Sequence, residues 1–454
     1  MKKNIITLVA ISLSLSGCGI YTKYEPATVV PEDLYGGEVV AEDTAGLGTM
    51  DWRELFTDSY LQSLIEVGLQ NNTDYQSAQL RVEEAQAALL SAKLAFLPAF
   101  ALSPQGIVSS FDTQKATQTY SLPVTASWEL DVFGRMRNAK KQAKALYAQS
   151  EDYRQAVRTQ LITGIANSYY TLLMLDEQLD ISRQTEQAWK ETVESTRALM
   201  NAGLANESAV SQMEAACYQV QSSVLDLQQQ INQVENSLAL MLAETPRNYE
   251  RGTLSGQQFP TDFSIGIPVR MLSCRPDVRS AERTLEAAFY GTNAARSAFY
   301  PSITLSGSAG WTNSAGAMIL NPGKFVASAV GSLTQPLFNR GQVVAQYRIA
   351  RAQQEEAALG FQQTLLNAGS EVNDALTAYQ TSQGKSLLLD KQITSLQTAL
   401  RSTSLLMEHS NTTYLEVLTA RQSLLSAQLT QTANHFTEIQ SIINLYRALG
   451  GGQE

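Results

Sequence analysis

Thr119-Tyr-Ser-Leu-Pro-Val-Thr-Ala-Ser-Trp-Glu-Leu-Asp131 alternates without a break. In an extended chain Tyr120, Leu122, Val124, Ala126, Trp128 and Leu130 point one way, and Thr119, Ser121, Thr125, Ser127, Glu129 and Asp131 point the other. Ser302-Ile-Thr-Leu-Ser-Gly-Ser-Ala-Gly-Trp-Thr312 does the same, with Ile303, Leu305, Ala309 and Trp311 against Ser302, Thr304, Ser306, Ser308 and Thr312. Residues 99–111 and 325–337 alternate less regularly. Four strands of this length with a period of two fit membrane β-strands, apolar outward and polar inward. Period alone fits a half-buried strand pair on a soluble core equally well, so the flanking sequence has to decide.

Outward from these strands the pattern changes. No proline occurs from Val124 to Thr245 or after Pro336, and both stretches are rich in the helix formers Ala, Leu, Gln and Glu. The first carries apolar residues at 3–4 spacing: Val210, Met213, Cys217, Val220, Val224, Leu227, Ile231, Val234, Leu238 and Met241. The second carries Leu415, Leu418, Gln422, Leu425, Leu429, Thr432, Phe436, Ile439, Ile443 and Tyr446 at similar spacing. Each stretch breaks once, at Asn201–Asn206 and at His409–Thr413. Each therefore reads as a helical hairpin, with one arm of ~60 residues and hence ~90 Å.

The chain also repeats itself. Ala95-Phe-Leu-Pro98 matches Ala298-Phe-Tyr-Pro301 at an offset of 203, and Phe133-Gly-Arg135 matches Phe338-Asn-Arg340 at 205. The expected organisation is a signal peptide over 1–17, an N-terminal segment over 18–57, and a first repeat over 58–246. A linker over 247–272 and a second repeat over 273–454 follow. Each repeat has a helix, two strands and a long hairpin, with strands near 99–111 and 119–131 in the first and near 302–312 and 325–337 in the second.

Lys2 and Lys3 precede an apolar run from Ile5 to Leu15, too short to span a bilayer and suited to a signal peptide. It ends in Leu15-Ser-Gly-Cys18, which resembles a bacterial lipoprotein signal, with acylation of Cys18 and outer-membrane sorting expected. This N-terminus favours the membrane reading of the strands. Four strands cannot close by themselves, and open edges leave backbone groups unpaired in hydrocarbon, so copies of the chain must pool strands. Trp128 and Trp311, on the apolar sides of their strands, are expected at opposite membrane interfaces.

Composition narrows the function. Charged residues are only 17%, and Lys plus Arg number 33 against 43 Asp plus Glu, which argues against nucleic-acid binding. His409 and His435 are the only histidines and have no partners at ligand spacing. There is no phosphate-cradling glycine loop; Gly450-Gly-Gly452 reads as a terminal tail. An enzyme is a poor reading, and no metal or cofactor is implied. Cys217 lies on the apolar stripe and is expected to be a small buried hydrophobe.

Five stretches carry a family resemblance: Gly266-Ile-Pro268; Arg275-Pro276-Asp277-Val-Arg279-Ser-Ala-Glu282; Ala298-Phe-Tyr-Pro301; Tyr414-Leu-Glu-Val-Leu418; and Asn444-Leu-Tyr446-Arg-Ala-Leu-Gly450-Gly-Gly452. In this order, with the duplication, the chain resembles the TolC-like outer-membrane efflux proteins, specifically the lipoprotein branch serving multidrug (RND-type) pumps. The resemblance implies a mainly α fold with membrane β. A homotrimer would close a twelve-stranded β-barrel continuous with a long periplasmic α-helical barrel, within a mixed equatorial belt. It implies a passive exit duct for drugs or other small molecules, with a periplasmic adaptor and an inner-membrane transporter as partners. The alternatives are the outer-membrane duct of a type I protein secretion system and a coiled-coil lipoprotein without a pore. In the family an acidic ring often follows the second hairpin turn as Asp; here that position is Thr419, and the nearest carboxylates are Glu416 and Glu408. Glu408, Glu416, Asn411, Gly203 and Asn206 are the expected periplasmic gate and tip residues. The bland reading of both glutamates is a solvated helix face.

Overall fold

The computed structural model describes residues 21, 23–25, 50–112, 114–259, 275–313, 323–408 and 414–452, the side chains of Thr117 and Glu408 aside. Cys18, Asn411, the signal segment and Gly266-Ile-Pro268 lie outside the described residues, as do the second hairpin turn and most of the expected N-terminal and linker segments. The elements run α1 (Trp52–Leu55), α2 (Ser59–Asn71), α3 (Thr73–Leu94), β1 (Ala99–Leu102), β2 (Gln105–Ser109), β3 (Thr117–Leu130), α4 (Arg135–Asn201) and α5 (Glu207–Met241). A 3₁₀ turn at Leu254–Gly256 precedes α6 (Pro276–Ser297), β4 (Ser302–Thr312), β5 (Lys324–Thr334), α7 (Gln342–Glu408) and α8 (Tyr414–Ala448). The duplication is kept in the helices: α4 and α7 each have 67 residues, and α5 and α8 each have 35. The extra residues of the second copy therefore fall between its first helix and its hairpin.

The chain forms two units. One comprises Arg81–Glu151 and Ser280–Gln362 with the residues before Val30; the other comprises Val30–Leu80, Asp152–Arg279 and Gln363–Glu454.

The first unit holds one antiparallel sheet in the order β1 and β2, β3, β4, β5. The stretch 99–111 falls into two strands rather than one. Pro123 of β3 has no N–H to return to the Ser103 carbonyl, so regular pairing stops there. The register does not slip across the gap: Leu102 faces Val124, Gln105 faces Ser121, and between them the Ser103 N–H bonds the Pro123 carbonyl at 3.1 Å. Pro123 faces Gly310 on its other side. A Cβ at Gly310 would lie 2.2 Å from the Leu122 carbonyl oxygen, so only glycine fits the close approach. β5 ends at Thr334, short of residue 337, because Gln335-Pro336 follows. At the foot of β3, Asp131 accepts the N–H groups of Met136 (2.9 Å) and Arg137 (2.8 Å) and so starts α4. There the Tyr21 hydroxyl donates to the Phe133 carbonyl, and the Phe133 ring stacks on Tyr300 at 5.3 Å.

The second unit has a true core. Trp52, Leu55, Phe56, Leu61, Ile65, Ile162, Ile165, Tyr169, Tyr170, Leu242, Leu254, Ile443 and Tyr446 are buried together. Asp51 and Asp58 cap α1 and α2 through their carboxylates. Asp58 also accepts from the Tyr169 hydroxyl at 2.6 Å and from Gln257 at 2.8 Å. Burial, with this bond to a carboxylate, pushes the Tyr169 hydroxyl well above its ordinary value. Gly68 lets α2 approach α4, since a Cβ there would sit 2.4 Å from Ile165. The glycine tail is no loose end. Gly450 has φ +82° and closes α8 in a Schellman turn; the carbonyls of Gly451 and Gly452 accept from Thr159 (2.9 Å) and Gln155 (2.6 Å).

Candidate conduit surfaces: the sheet and the hairpin tips

Residues opposite one another in a ladder share a face. Reading across the registers, Phe100, Ala126, Gly307 and Ala329 form one row, and Leu102, Val124, Ala309 and Ala327 form another. Trp128, Leu305 and Gly331 lie toward the foot, with Leu130, Ile303 and Leu333 below them. Leu122, Trp311 and Phe325 lie toward the far end, where the Trp311 and Phe325 rings meet edge to face at 5.8 Å. Every one of these positions is apolar. The opposite face carries Thr125, Ser308 and Ser328 in one row and Ser127 and Ser306 in the next. The Ser308 and Ser328 hydroxyls are 2.8 Å apart. One sheet thus has an apolar face four strands wide backed by a hydroxyl face. Apolar residues interrupt the hydroxyl face mainly on the outer strands, Ala99, Ala101 and Ile107 on β1 and β2 and Val326 and Val330 on β5, the two stretches whose alternation is less regular.

Trp128 and Trp311 both lie on the apolar face, 40% and 48% exposed, one near each end. The Trp128 indole N–H donates to the Phe96 carbonyl at 2.9 Å, which leaves the ring's apolar edge outward. Among the described residues nothing pairs with the outer edge of β1 and β2 or with that of β5.

The first hairpin turn is built by two caps. The Leu204 N–H reaches the Leu199 carbonyl (2.9 Å) and the Gly203 N–H reaches Met200 (2.9 Å), a Schellman closure with Gly203 at φ +76°. The Asn206 carboxamide then accepts from the Ala209 N–H at 2.9 Å and starts α5. A Cβ at Gly203 would meet nothing within 4 Å, so the tip is open to a partner. On the second hairpin, Glu416 is exposed in the first turn of α8, where its charge suits the helix N-terminus. Thr419 is exposed and its hydroxyl turns back to the Leu415 carbonyl at 2.8 Å. Trp189, Met213, Cys217 and Val220 of the first hairpin pack against Tyr414, Leu418 and Leu425 of the second. Cys217 is buried there, as a small hydrophobe, and burial raises its thiol.

Two features escaped the sequence reading. The Arg421 guanidinium lies 5.4 Å from the Trp189 ring centroid, and its Nε and Nη1 are buried without an acceptor among the described residues. Nothing in a single helix pattern marks it, because the burial comes from the other hairpin. Arg275-Pro276-Asp277 is more than a helix start. Arg275 is buried and bonds Asp277 (2.7 and 3.0 Å), Glu371 (2.8 Å) and the Ala448 carbonyl (3.1 Å), tying the start of α6 to α7 and to the end of α8. Burial alone would raise the Asp277 carboxyl; the Arg275 guanidinium outweighs it and holds it below the usual carboxylate range. The α8 stripe also differs from the expected one. Leu415 is 53% exposed, while Val417, Ala420, Ala427, Ile442 and Leu445 are buried, because α8 packs on more than one helix. Among the described residues no helix is long and apolar enough to cross a membrane, and no His, Cys, Asp and Glu cluster could hold a metal ion.

A sheet with one lipid-like face and two long helical hairpins, one from each repeat, defines a membrane conduit assembled from helices and strands. The family model "Outer membrane efflux protein" matches residues 64–244 and again 267–451. The chain belongs to the outer membrane efflux protein family. It is 29% identical over 451 residues to the cation efflux system protein CusC of Escherichia coli O6:H1, covering 97% of each chain. It is 27% identical to the toluene efflux pump outer membrane protein TtgC of Pseudomonas putida, covering 100% of this chain and 96% of that one. Solved structures of CusC align with a TM-score of 0.87 at 27% identity, covering 96% of this chain and 100% of that one. The open state of the Neisseria gonorrhoeae MtrE outer membrane channel aligns with a TM-score of 0.85 at 26% identity, covering 96% and 98%. The family is one of efflux channels, not of enzymes.

Proposed function

We propose that the chain is the exit duct of a tripartite efflux pump, a homotrimer that passively carries small molecules or ions from an inner-membrane transporter and a periplasmic adaptor to the cell exterior. The observation that carries this reading is the sheet: an apolar face four strands wide, with both edges open. In hydrocarbon each unpaired backbone group costs several kcal/mol. Pairing the β5 edge of one copy with the β1 and β2 edge of the next removes that cost, and three copies give a twelve-stranded barrel with the hydroxyl face inward. The hairpin tips, open at Gly203, would dock the adaptor and form the periplasmic mouth.

Acylation at Cys18 fits the same picture. Tyr21 is held at the foot of the sheet, and three residues of extended chain reach at most ~11 Å. Lipid on Cys18 would therefore enter the membrane beside the barrel rim, as a second anchor. The probable outer membrane lipoprotein SilC of Salmonella typhimurium, 28% identical over 406 residues and covering 88% of each chain, carries that description by name. Purified protein in a planar bilayer should give discrete, uniform conductance steps. A membrane-inserted protein that conducts nothing, even with adaptor present, would contradict the duct. Mass spectrometry of the mature N-terminus should find diacylglycerol on Cys18; an unmodified thiol in membrane-extracted protein would remove the second anchor.

A further inference from the structure

The strand-bearing stretches of this acidic chain are basic. Ala85–Ser150 and Ala287–Gln354 together hold twelve Lys or Arg and three Asp or Glu, although acids outnumber bases over the whole chain. Lys115 and Lys324 lie at the far ends of the strands; the other ten cluster on the helix ends that adjoin the foot of the sheet, and all ten are exposed. The duplication keeps some of them. Lys93 and Arg296 end α3 and α6, and Arg135 matches Arg340.

Lys93 and Arg296 suit the C-terminal ends of their helices, but Lys140, Lys141 and Lys144 lie past the first turn of α4, where the macrodipole does not account for them. Arg135 and Arg137 are neutralised by Glu129 and Asp131. Lys140, Lys141 and Lys144 have no carboxylate partner among the described residues, and their spacing puts them on one helix face. A chain of contacts fixes their side. The Trp128 indole, at the foot of the apolar face, donates to the Phe96 carbonyl, and Lys140 Nζ stands 5.7 Å from the centroid of the Phe96 ring. Lys141 Nζ lies 5.2 Å from the Tyr290 ring. The stripe therefore begins where the apolar face stops.

We propose that Lys140, Lys141 and Lys144 form a headgroup site for anionic glycerophospholipid in the leaflet that meets the foot of the sheet. The proposal rests on the membrane reading of the sheet. A lysine can lay its stem along the aromatic rim and keep its ammonium at phosphate depth. Each such lysine near an anionic surface favours it by roughly fivefold.

The test uses the full-length protein in nanodiscs of phosphatidylethanolamine, alone or mixed with phosphatidylglycerol, with retained lipids counted by native mass spectrometry. The wild type should enrich phosphatidylglycerol by roughly tenfold or more over its bilayer share. Inorganic phosphate at matched ionic strength should not displace it; displacement would mean a phosphate site rather than a lipid site and would overturn the proposal. K140Q/K141Q/K144Q should lose most of the enrichment, and K140R/K141R/K144R should keep it. K385Q/K391Q, exposed charges of α7 outside these stretches, should change nothing. Equal enrichment in the wild type and the triple glutamine variant overturns the site. So does a triple variant that keeps its lipid and instead loses binding to purified peptidoglycan, which would make an acidic glycan the occupant. Trp128 quenching by brominated lipid in the same discs separates the failures: quenching without enrichment sinks only the headgroup site, while no quenching sinks the membrane reading beneath it.

Discussion

Trp128 and Trp311 lie on the same face of the sheet, six ladder positions apart, since Trp311 faces Leu122. At ~3.3 Å per residue that is ~20 Å along the strand before tilt. Indoles this far apart on one apolar surface match the two headgroup boundaries of an outer-membrane apolar band. Lipids brominated near the headgroup should quench both residues more than lipids brominated at the chain ends. Quenching of neither would take the strands out of the membrane.

The hairpin tip should respond to its caps. Asn206→Ala removes the bond to the Ala209 N–H and should loosen the turn by about 1 kcal/mol. Gly203→Ala forces a Cβ into the left-handed region and should cost about 1–2 kcal/mol. Amides around residues 199–209 should then exchange roughly fivefold faster or more, with the core of the second unit unchanged. Unchanged exchange would mean that packing, not capping, holds the turn.

At the end of α5 the same turn is closed by Ala243 at φ +53°, where glycine would be unstrained. Ala243→Gly should stabilise this turn by up to about 1 kcal/mol, unlike most substitutions to glycine. Slower local exchange around residues 239–244 checks it; faster exchange would show that the methyl contributes more than the strain costs.

Much of this was legible because the signals are local. The first turn announces itself as Asn201-Ala-Gly-Leu-Ala-Asn206, with the glycine and the cap where a Schellman turn and a new helix need them. Ser302–Thr312 is a strand over its full alternating run. Where a reading fell short, the missing information was tertiary. The stretch 99–111 divides because Pro123, on the neighbouring β3, has no N–H to return to Ser103. Leu415 matches the period of α8 but is exposed, while its neighbours Tyr414 and Leu418 pack against the first hairpin. Arg421 is buried by Trp189, more than two hundred residues earlier in the chain.

The Arg275 knot gives a pH signature. The folded Asp277 carboxyl lies below its unfolded value of ~3.9. Its contribution is therefore fully present above that value and is lost as pH falls through the lower folded value. The stability of the wild type should fall below about pH 4. Asp277→Asn should already be weaker at neutral pH and converge with the wild type in acid. A constant gap between the two at all pH values would show that the carboxylate charge is not what matters.

Glu416 sits exposed in the first turn of α8, and Glu408 ends α7 across the turn. Repeated by threefold symmetry around a narrow mouth, these carboxylates would favour cations. Glu408→Gln and Glu416→Gln should each reduce the cation preference of reconstituted channels, most in the double variant, with the assembly intact. If selectivity is untouched, the glutamates are a solvated face. Bulky or charged residues at Gly203 or Asn411 should weaken pump assembly and leave membrane insertion alone; the opposite outcome would put the tips at the wrong end.

The most direct test of the shared barrel is the mass of the folded particle. The open edges of β1 and β2 and of β5 require partners in lipid. Native mass spectrometry of protein extracted from membranes in mild detergent should give three copies, with strand amides between residues 99 and 109 and between 324 and 334 protected from exchange. A folded monomer whose β5 edge is equally protected would contradict the account.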